Sequence, residues 1–456
     1  MAFANRSPWI HQLDSDRVAV TLHGDIETDI TIIGAGIAGV STAFFLLHNT
    51  DKRVTLLEGG RLAHGATGHN AGQVTTYFER PLHDINDEFG DEMTKAGQEA
   101  IELSWELLDH MYTTAGLTIP LSRFLGHAGI IEYDRLISHL KDNLLREKLI
   151  ISTEEFCIAD NAPFLKEIPK EFSHLYAVVP QIEILDRLET SDTRFIASLS
   201  APKGCLNSAL FCEEIIKYLL KNFSKRFSLF EHTLIKKILL RKDYAVLDAI
   251  SHEVKTDQVV LCTNGFEKIT IINEAGLDIN TKFHHTVQGV VGFMSGYLKK
   301  YDKPPIAISY MVKGDSTLEG DYYYLTRRQF EHEENSDLNL ISVGGPEIVL
   351  EDTALYESDQ DYPAEAEASI DAFVKSYFEQ NLKKEINYEF KWHGLMGYTT
   401  NGIRLVGVEP KNPVLLYNLG CNGIGILPSI YGGKRISQIL NGEKLEPSIF
   451  DPKISP

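Results

Sequence analysis

Near the start of the chain, apolar positions form a strand-like run, then a helical repeat, then a second strand-like run. After a polar stretch that ends near Asp25, residues 29–33 are short, apolar and β-branched, which is typical of a buried parallel strand. The next apolar residues recur at helical spacing: Ile37, Val40, Phe44 and Leu47. Residues 53–57 form another strand-like run, which ends in Glu58. This order predicts a β-α-β unit.

The same patterns predict helices and strands along the rest of the chain. Amphipathic helical patterns cover residues 100–112, 136–149, 210–223 and 364–382, and a final helix runs from about residue 429 to residue 440. Strand patterns cover residues 258–264, 403–408 and 414–419, and strand-like segments dominate from residue 286 to residue 345. No internal repeat is visible in the sequence. We therefore expect a mixed α/β protein of two or three domains.

Charge and cysteine content limit the classes of function. Asp and Glu number 64 against 44 Lys and Arg, and the formal charge of -20 argues against a nucleic-acid partner. The five cysteines show no metal spacing, so neither a metal site nor a disulfide framework is expected. The start of the chain lacks the features of a secretory signal, and the uncharged residues 30–47 carry three glycines that suit a strand and a helix better than a membrane span. We expect a soluble, cytoplasmic protein.

The glycines between the first strand and the first helix carry the strongest chemical signal. Gly34 permits a tight turn, Gly36 lets backbone amides approach a pyrophosphate, and Gly39 allows the helix to pack on the sheet. Glu58, about twenty residues further on, suits ribose hydroxyls and disfavours a 2′-phosphate. A chance glycine turn is the alternative, but strand, helix and acid together predict a dinucleotide site.

A second glycine-rich loop, residues 59–76, is too long for an ordinary connection. Further motifs follow in residues 259–264 (VVLCTN), 392–397 (WHGLMG), 400–407 (TNGIRLVG) and 420–425 (GCNGIG). With the first fingerprint and the loop 65–72 (GATGHNAG), these motifs make the chain similar to the D-amino-acid oxidase family of FAD enzymes. The resemblance is to the branch that contains glycine oxidase, sarcosine oxidase and gamma-glutamylputrescine oxidase.

The resemblance implies a fold and a division of the chain. We expect a discontinuous Rossmann-type FAD-binding domain of the glutathione-reductase-like kind, and a second α+β substrate domain with a mostly antiparallel sheet. The expected FAD domain comprises residues 26–95, 200–283 and 388–445, the substrate domain comprises residues 96–199 and 284–387, and residues 1–25 form an N-terminal extension. The substrate sheet would lie over the flavin.

The resemblance also implies a set of cofactor contacts. The loop at residues 65–72 would run beside the isoalloxazine, and the last glycine turn would face the N1 and O2 edge of the flavin, where helix N-terminal amides stabilise negative charge. The expected cofactor-binding residues are Gly34, Gly36, Ile37, Ala38, Gly39, Glu58, Gly59, Arg61, Gly65, Ala66, Thr67, His69, Asn70, Ala71, Gly72, Thr263, Asn264, Gly423, Ile424 and Gly425.

His69 has two interpretations. Its context is similar to the Thr-x-His-x-Ala-Gly stretch of dimethylglycine and sarcosine dehydrogenases, whose histidine is bonded covalently to FAD. The alternative is a polar loop histidine that only lines the cofactor site.

Candidate substrate residues come from the aromatic strand and from three histidines. By resemblance to glycine oxidase, Arg327 would clamp a substrate carboxylate. An equally good interpretation is that Arg327 is a solvated charge at the end of a strand. Tyr322 and Tyr324 should share one strand face, so either that pair or Tyr323 could line the pocket. His393, and with it His284 and His285, are candidates for substrate binding or proton handling, although a lone histidine is more often structural.

The reaction implied is oxidation of an amine or amino acid. Hydride would pass from the substrate α-carbon to flavin N5, the imine would hydrolyse, and O2 would reoxidise the flavin to give H2O2. One alternative is a dehydrogenase that passes electrons to another carrier. A second is a non-catalytic flavin-binding subunit of a larger complex, which would have no need of Arg327 as a clamp.

Overall fold

The structure, a computed structural model, describes residues 5–266, 269–279, 287–312, 320, 322–332, 335–352, 355–380 and 384–453. The helices are α1 (Pro8–His11), α2 (Ile37–Asn49), α3 (Leu82–Phe89), α4 (Asp91–Glu102), α5 (Ser104–Ala115), α6 (Tyr133–Leu149), α7 (Gln181–Arg187), α8 (Ser208–Asn222), α9 (Ala364–Phe373) and α10 (Ile426–Leu440). The candidate histidines His284 and His285 lie outside the described residues. Among the helices described, none is both long and apolar enough to cross a membrane.

Along the sequence, groups of strands from one sheet alternate with groups of strands from the other. They are β1 (Ile26–Ile33), β2 (Val54–Leu57), β3 (Gln73–Val74), β4 (Leu121–Ile130), β5 (Glu155–Ala159), β6 (Tyr176–Val179), β7 (Ala197–Leu206), β8 (Phe227–Phe230), β9 (Lys237–Leu240), β10 (Ala245–Asp248), β11 (Glu253–Leu261), β12 (Thr270–Asn273), β13 (Val287–Lys300), β14 (Ile306–Met311), β15 (Tyr323–His332), β16 (Asn335–Val349), β17 (Tyr388–Thr399), β18 (Leu405–Val408) and β19 (Leu415–Leu419). In the described part of the chain they form two sheets.

The first sheet contains the predicted β-α-β unit. β1 lies between β2 and β11, and both neighbours are parallel to it. β8 extends the parallel side beyond β2, and β19 pairs in parallel with the end of β11. The carboxyl ends of β1, β2 and β11 therefore meet at one edge, which is where open α/β sheets bind their ligands. α2 is buried along nearly its whole length, which explains its charge-free sequence.

The second sheet runs in the order β17-β13-β16-β15-β14-β4-β7-β5-β6. Most of its pairs are antiparallel, and β14 with β4 and β5 with β6 are the parallel pairs. The expected fold class, a Rossmann-type sheet with a second, mostly antiparallel sheet, is confirmed. β7 and β17 both belong to this second sheet, so the boundaries expected at residues 200 and 388 divide the chain differently from the sheets.

Two predicted helices are interrupted. The pattern at residues 100–112 spans the junction of α4 and α5, where Leu103 is exposed and takes no part in the core. The pattern at residues 364–382 becomes α9 followed by a π-helical turn, Val374–Phe378. The apolar repeat continues through both junctions, which is why hydrophobic spacing alone did not show them.

The N-terminal extension is folded onto the rest of the protein. Trp9 is completely buried and packs edge-on against Trp392, with ring centres 6.5 Å apart. Arg17 donates to both carboxylate oxygens of Glu231, at 2.6 Å each. Asn5 donates to the carbonyl oxygen of His393, at 3.1 Å. This segment therefore joins parts of the chain that are distant in sequence.

Candidate active site

A cavity of about 1490 Å³ is lined by residues of both sheets. It starts at the carboxyl edge of the first sheet, around Gly36 and Glu58, and extends to the face of the second sheet, where β13, β15, β16 and β17 contribute side chains. Of the expected cofactor-binding residues, all but Gly34, Gly39 and Arg61 line it.

The turn between β1 and α2 is built on glycine. Gly34 has φ +102°, and a Cβ there would lie 2.6 Å from the carbonyl oxygen of Cys262. Gly36 is the N-cap of α2 and has no side chain with which to cap the helix. The helix therefore begins without a side-chain cap from Gly36, and its first residues, Gly36, Ile37 and Ala38, line the cavity.

Glu58 lies at the end of β2 and is held by two backbone amides. Its carboxylate accepts from the amides of Ala35 and Gly60, each at 2.8 Å. Burial raises the pKa of the Glu58 carboxyl, although these two amides act in the opposite direction. Gly59 lines the cavity beside it, whereas Arg61 donates to the carbonyl oxygen of Arg17 and does not reach the cavity. The expected cofactor contact of Arg61 is therefore not present.

The loop at residues 65–72 forms one wall of the cavity. Thr67 Oγ1 accepts from the amide of Ile37 at 2.9 Å, which ties the loop to the start of α2. The Asn70 side chain donates to Ser208 Oγ at 2.8 Å. On the far side of the loop, the Trp9 indole donates to the carbonyl oxygen of Asn70. The loop is thus fixed from both sides.

His69 projects from this loop beside the cavity. Its Nδ1 donates to the carbonyl oxygen of Gly65 at 3.0 Å. Burial lowers the pKa of His69 to about 4. The imidazole is therefore neutral at ordinary pH, with its Nε2 in the unprotonated form.

The last glycine turn closes the cavity from the other side. Gly423 has φ +75°, and Gly425 is the N-cap of α10, so a second helix N-terminus opens to the cavity. Asn264 Oδ1 accepts from the amide of Cys421 at 2.8 Å, which joins the end of β11 to this turn. Thr263 and Asn264 also line the cavity.

These features fit an FAD molecule. The backbone amides at the start of α2 suit a pyrophosphate, and a Cβ on Gly36 would lie 2.8 Å from Thr67 Oγ1, so the close approach there depends on glycine. Glu58 suits ribose hydroxyls. The start of α10 suits the electron-rich edge of a flavin. Sites for the two ends of the cofactor therefore lie in one continuous cavity.

The candidate substrate residues are distributed on both faces of the second sheet. Tyr324 lines the cavity. Arg327, three residues further along β15, lies on the opposite face, where it donates to both carboxylate oxygens of Glu189 at 2.8 Å and to the carbonyl oxygen of Pro304 at 2.9 Å. Since side chains alternate along a strand, Tyr324 and Arg327 cannot face the same pocket. The structure does not place Arg327 as a clamp.

His393 also faces away from the cavity. It is completely buried, its Nε2 donates to the carbonyl oxygen of Gln360 and its Nδ1 accepts from the hydroxyl of Tyr356, both at 3.1 Å. Its neighbour on β17, Gly394, lines the cavity instead. Because side chains alternate along β17, His393 faces away from the cavity, and its two hydrogen bonds give it a structural role.

Several cavity residues were not expected from the sequence. They include Tyr77, Glu79, Glu347, Tyr398 and Arg404. Tyr322 had been considered with Tyr324 on one strand face, and the structure bears out that pairing. Tyr77, Glu79 and Arg404 lie in loops, and Glu347 and Tyr398 lie in strands. Arg404 belongs to the motif at residues 400–407, but neither that motif nor any other local pattern had marked these side chains as cavity residues.

Comparison with known proteins identifies the family. The family model of the FAD-dependent oxidoreductases called DAO matches residues 29–439. The chain belongs to this family.

Solved structures of other proteins share the fold of this family member. Glycine oxidase from Geobacillus kaustophilus superposes with a TM-score of 0.66 at 15% identity, over 94% of this chain and 99% of that chain. L-proline dehydrogenase from P. horikoshii superposes with a TM-score of 0.65 at 14% identity, over 94% and 97%.

Two curated relatives match over short segments. Gamma-glutamylputrescine oxidoreductase of Escherichia coli (strain K12) is 33% identical over 70 residues, which are 15% of this chain and 16% of that protein. The putative Rieske 2Fe-2S iron-sulfur protein YhfW of Bacillus subtilis (strain 168) is 42% identical over 68 residues, which are 15% of this chain and 12% of that protein. The matched parts thus span less than a fifth of these relatives.

Proposed function

We propose that this FAD-dependent oxidoreductase oxidises the C–N bond of an amine or amino acid. In the overall reaction, R₂CH–NHR′ and O2 give the imine R₂C=NR′ and H2O2, and water then converts the imine to R₂C=O and R′NH₂. Bound FAD supplies the acceptor for the hydride of the α-carbon. The observation that carries the proposal is the single cavity, which joins the nucleotide site to a chamber of tyrosines on the second sheet.

The residues of the chamber provide what such a reaction needs from a protein. Val290, Met294 and Met396 make an apolar wall that excludes water. The hydroxyl of Tyr324 is a hydrogen-bond donor, because burial raises its pKa and keeps it protonated. These residues hold and orient the substrate amine.

We propose that FAD is held without a covalent bond. The site binds the cofactor through glycine backbone and helix N-termini, and His69 Nδ1 is already engaged by Gly65. After acid precipitation, the flavin is expected in the supernatant. Flavin in the pellet would contradict this, and release of the flavin by His69→Ala would then assign the bond to His69.

The function is tested by anaerobic flavin reduction. The purified holoenzyme is mixed with a panel of amines and amino acids, and the loss of flavin absorbance is followed. At least one of them is expected to reduce the flavin, and air should then reoxidise it with formation of H2O2. A flavin that all of them leave oxidised, but that dithionite reduces, would favour a non-catalytic subunit. Rapid reduction of the flavin by a substrate, followed by slow reoxidation of the flavin in air, would favour a dehydrogenase.

A further inference from the structure

Two tyrosine rings form a corner at the end of the cavity that faces the second sheet. Tyr322 lies just before β15 and Tyr324 lies within it, and both line the cavity. Their ring centres are 5.9 Å apart, and the ring planes are inclined to each other by 58°. We call Tyr322 and Tyr324 the tyrosine corner.

Gly344 determines how the ring of Tyr324 lies in this corner. The two residues are cross-strand partners on β16 and β15. A Cβ on Gly344 would lie 2.5 Å from Cζ, 2.6 Å from the hydroxyl oxygen and 2.7 Å from Cε2 of Tyr324. Because these three distances are nearly equal, the added atom would meet the face of the ring and not its edge. The ring therefore lies flat over the glycine, and its outer face is turned to the cavity.

The neighbouring tyrosine packs in the same way on the opposite face of the sheet. A Cβ on Gly345 would lie 2.6 Å from Cδ1 and 2.9 Å from Cγ of Tyr323. The Tyr323 ring is stacked on Phe373, with ring centres 4.2 Å apart and planes within 2° of parallel. Among the described residues, no ring is stacked in this manner on Tyr324. The core of the protein thus shows which group fits a tyrosine that lies flat over a glycine, namely another aromatic ring.

The side chains around the corner are suited to an apolar group. Met294 on β13 is the other cross-strand neighbour of Gly344, and it lines the cavity. The hydroxyl of Tyr322 donates to Glu79 Oε1 at 3.0 Å, so the polar end of this ring is bound by the protein itself. The corner therefore presents ring carbons and a thioether, which pack well against aromatic groups.

We propose that the tyrosine corner binds an aromatic ring of the substrate, which is accordingly an arylalkylamine or an aromatic amino acid. This inference rests on the proposed amine oxidation and names its substrate class. The ring of the substrate would pack on the outer face of Tyr324 as Phe373 packs on Tyr323, with the amine at its other end left for the flavin reaction. Ring faces also attract ammonium groups, which is the competing role that an experiment must separate.

Three primary amines test the proposal. They carry a planar ring in 2-phenylethylamine, a puckered ring in 2-cyclohexylethylamine and a second cation in cadaverine. The second-order constants for anaerobic reduction of the flavin are measured with the holoenzyme and with Tyr324→Leu. The quantity compared is the ratio of the phenyl to the cyclohexyl constant, because differences in amine pKa and the loss of the Tyr324 hydroxyl cancel between the two proteins. We expect this ratio to fall about fivefold in Tyr324→Leu, which corresponds to about 1 kcal/mol.

A ligand without an amine separates this inference from the proposed function. Binding of 2-phenylethanol, followed through the absorbance of the bound flavin, should weaken about fivefold in Tyr324→Leu, which corresponds to about 1 kcal/mol. If no amine reduced the flavin while dithionite did, the proposed oxidation would fail, and 2-phenylethanol would still decide whether the corner binds aromatic rings.

Two results would overturn the inference and leave amine oxidation intact. One is an unchanged phenyl-to-cyclohexyl ratio in Tyr324→Leu that has kept its flavin. The other is a loss for cadaverine as large as the loss for 2-phenylethylamine, which would make the ring a site for cations.

The chain supplies matched controls. Tyr323→Leu removes a ring with the same packing on the face away from the cavity, and it should leave the ratio unchanged. An equal fall in Tyr323→Leu would attribute the effect to disturbance of the sheet and would overturn the inference. Tyr324→Phe keeps the ring and should keep the ratio. If Tyr324→Leu fails to fold, Gly344→Ala displaces the ring and should lower the ratio, with Gly345→Ala as its control.

Discussion

The Trp9 indole donates a hydrogen bond to the backbone carbonyl oxygen of Asn70, and this bond connects the N-terminal extension to the loop that lines the cofactor cavity. Trp9 also contacts Gly72, where a Cβ would lie 2.7 Å from the indole ring. The Arg328 guanidinium covers Trp9, with its carbon 4.4 Å from the ring centre. An extension that sequence analysis assigned to no domain is thus part of the support of the site.

Trp9→Phe should weaken cofactor binding as well as stability. A six-membered aromatic ring is kept, but the N–H donor and part of the completely buried indole are lost. We expect a loss of about 1 kcal/mol in the free energy of unfolding from the hydrogen bond, a further loss from the cavity that remains, and faster release of FAD. Urea unfolding and the equilibrium flavin content measure the two effects. Trp105→Phe, at an indole covered by Arg123, is the control and should keep the flavin. Equal flavin loss in both variants would contradict the role of Trp9.

Gly36→Ala should produce a folded protein with little FAD. The added methyl would lie 2.8 Å from Thr67 Oγ1 and on the path of the pyrophosphate. The double variant Gly36→Ala/Thr67→Ala removes the contact with Thr67, and FAD binding should still be impaired. Flavin-to-protein ratios after purification give the result. Full recovery in the double variant would show that the contact with Thr67, and not the space for the cofactor, was the cause.

Arg327→Gln should reduce stability without changing the substrate KM. Its guanidinium is buried and paired with Glu189, and removal of one partner of a buried ion pair costs about 3–5 kcal/mol. The Glu189 carboxylate also pairs with Lys303, so part of its charge remains compensated and the lower end is expected. Urea unfolding and KM with the best amine of the panel are the measurements. A large rise in KM in the stably folded variant would restore the clamp hypothesis.

His69 should make the apoprotein less stable in mild acid. Its pKa is about 4 in the folded chain and about 6.5 in an unfolded chain, so the unfolded chain binds more protons between these values. The stabilisation is complete above about pH 6.5 and is lost as the pH falls towards 4. His69→Asn should therefore reduce the decrease in Tm from neutral to acidic pH. His23→Asn, at an exposed histidine, is the control for the effect of removing a histidine.

The sequence predicted the residues that line the first-sheet end of the cavity better than those that line the second-sheet end, for a physical reason. Gly36, Glu58 and Gly425 lie at the ends of regular elements, where their function follows from a local pattern of strand, turn and helix. Arg327 and His393 lie inside strands, where a shift of one residue moves a side chain to the other face of the sheet. Whether such a side chain faces the cavity depends on which face of the sheet packs on the first domain. No local pattern in the sequence shows this.

The contact between Glu79 and Gly423 shows the same limit more strongly. Glu79 and Gly423 are in contact although 344 positions separate them in the sequence. Only the packing of the two sheets brings them together. Neither residue type nor spacing marked Glu79 as a cavity residue.

The position of α10 determines when the cofactor can be taken up during biosynthesis. α10 packs so closely on α2 that a Cβ on Gly433 would lie 2.7 Å from the backbone of Ser41 and Thr42, and β19 pairs with β11 just before it. The helix that packs on α2, and with it the second helix N-terminus at the cavity, is therefore absent until the ribosome has translated the codons for α10. A product of premature termination before Ile426 would keep Gly36 and Glu58 but lack α10, and with it Ile426 and Ser429 of the cavity lining. Assembly of the complete cavity therefore follows translation of nearly the whole chain.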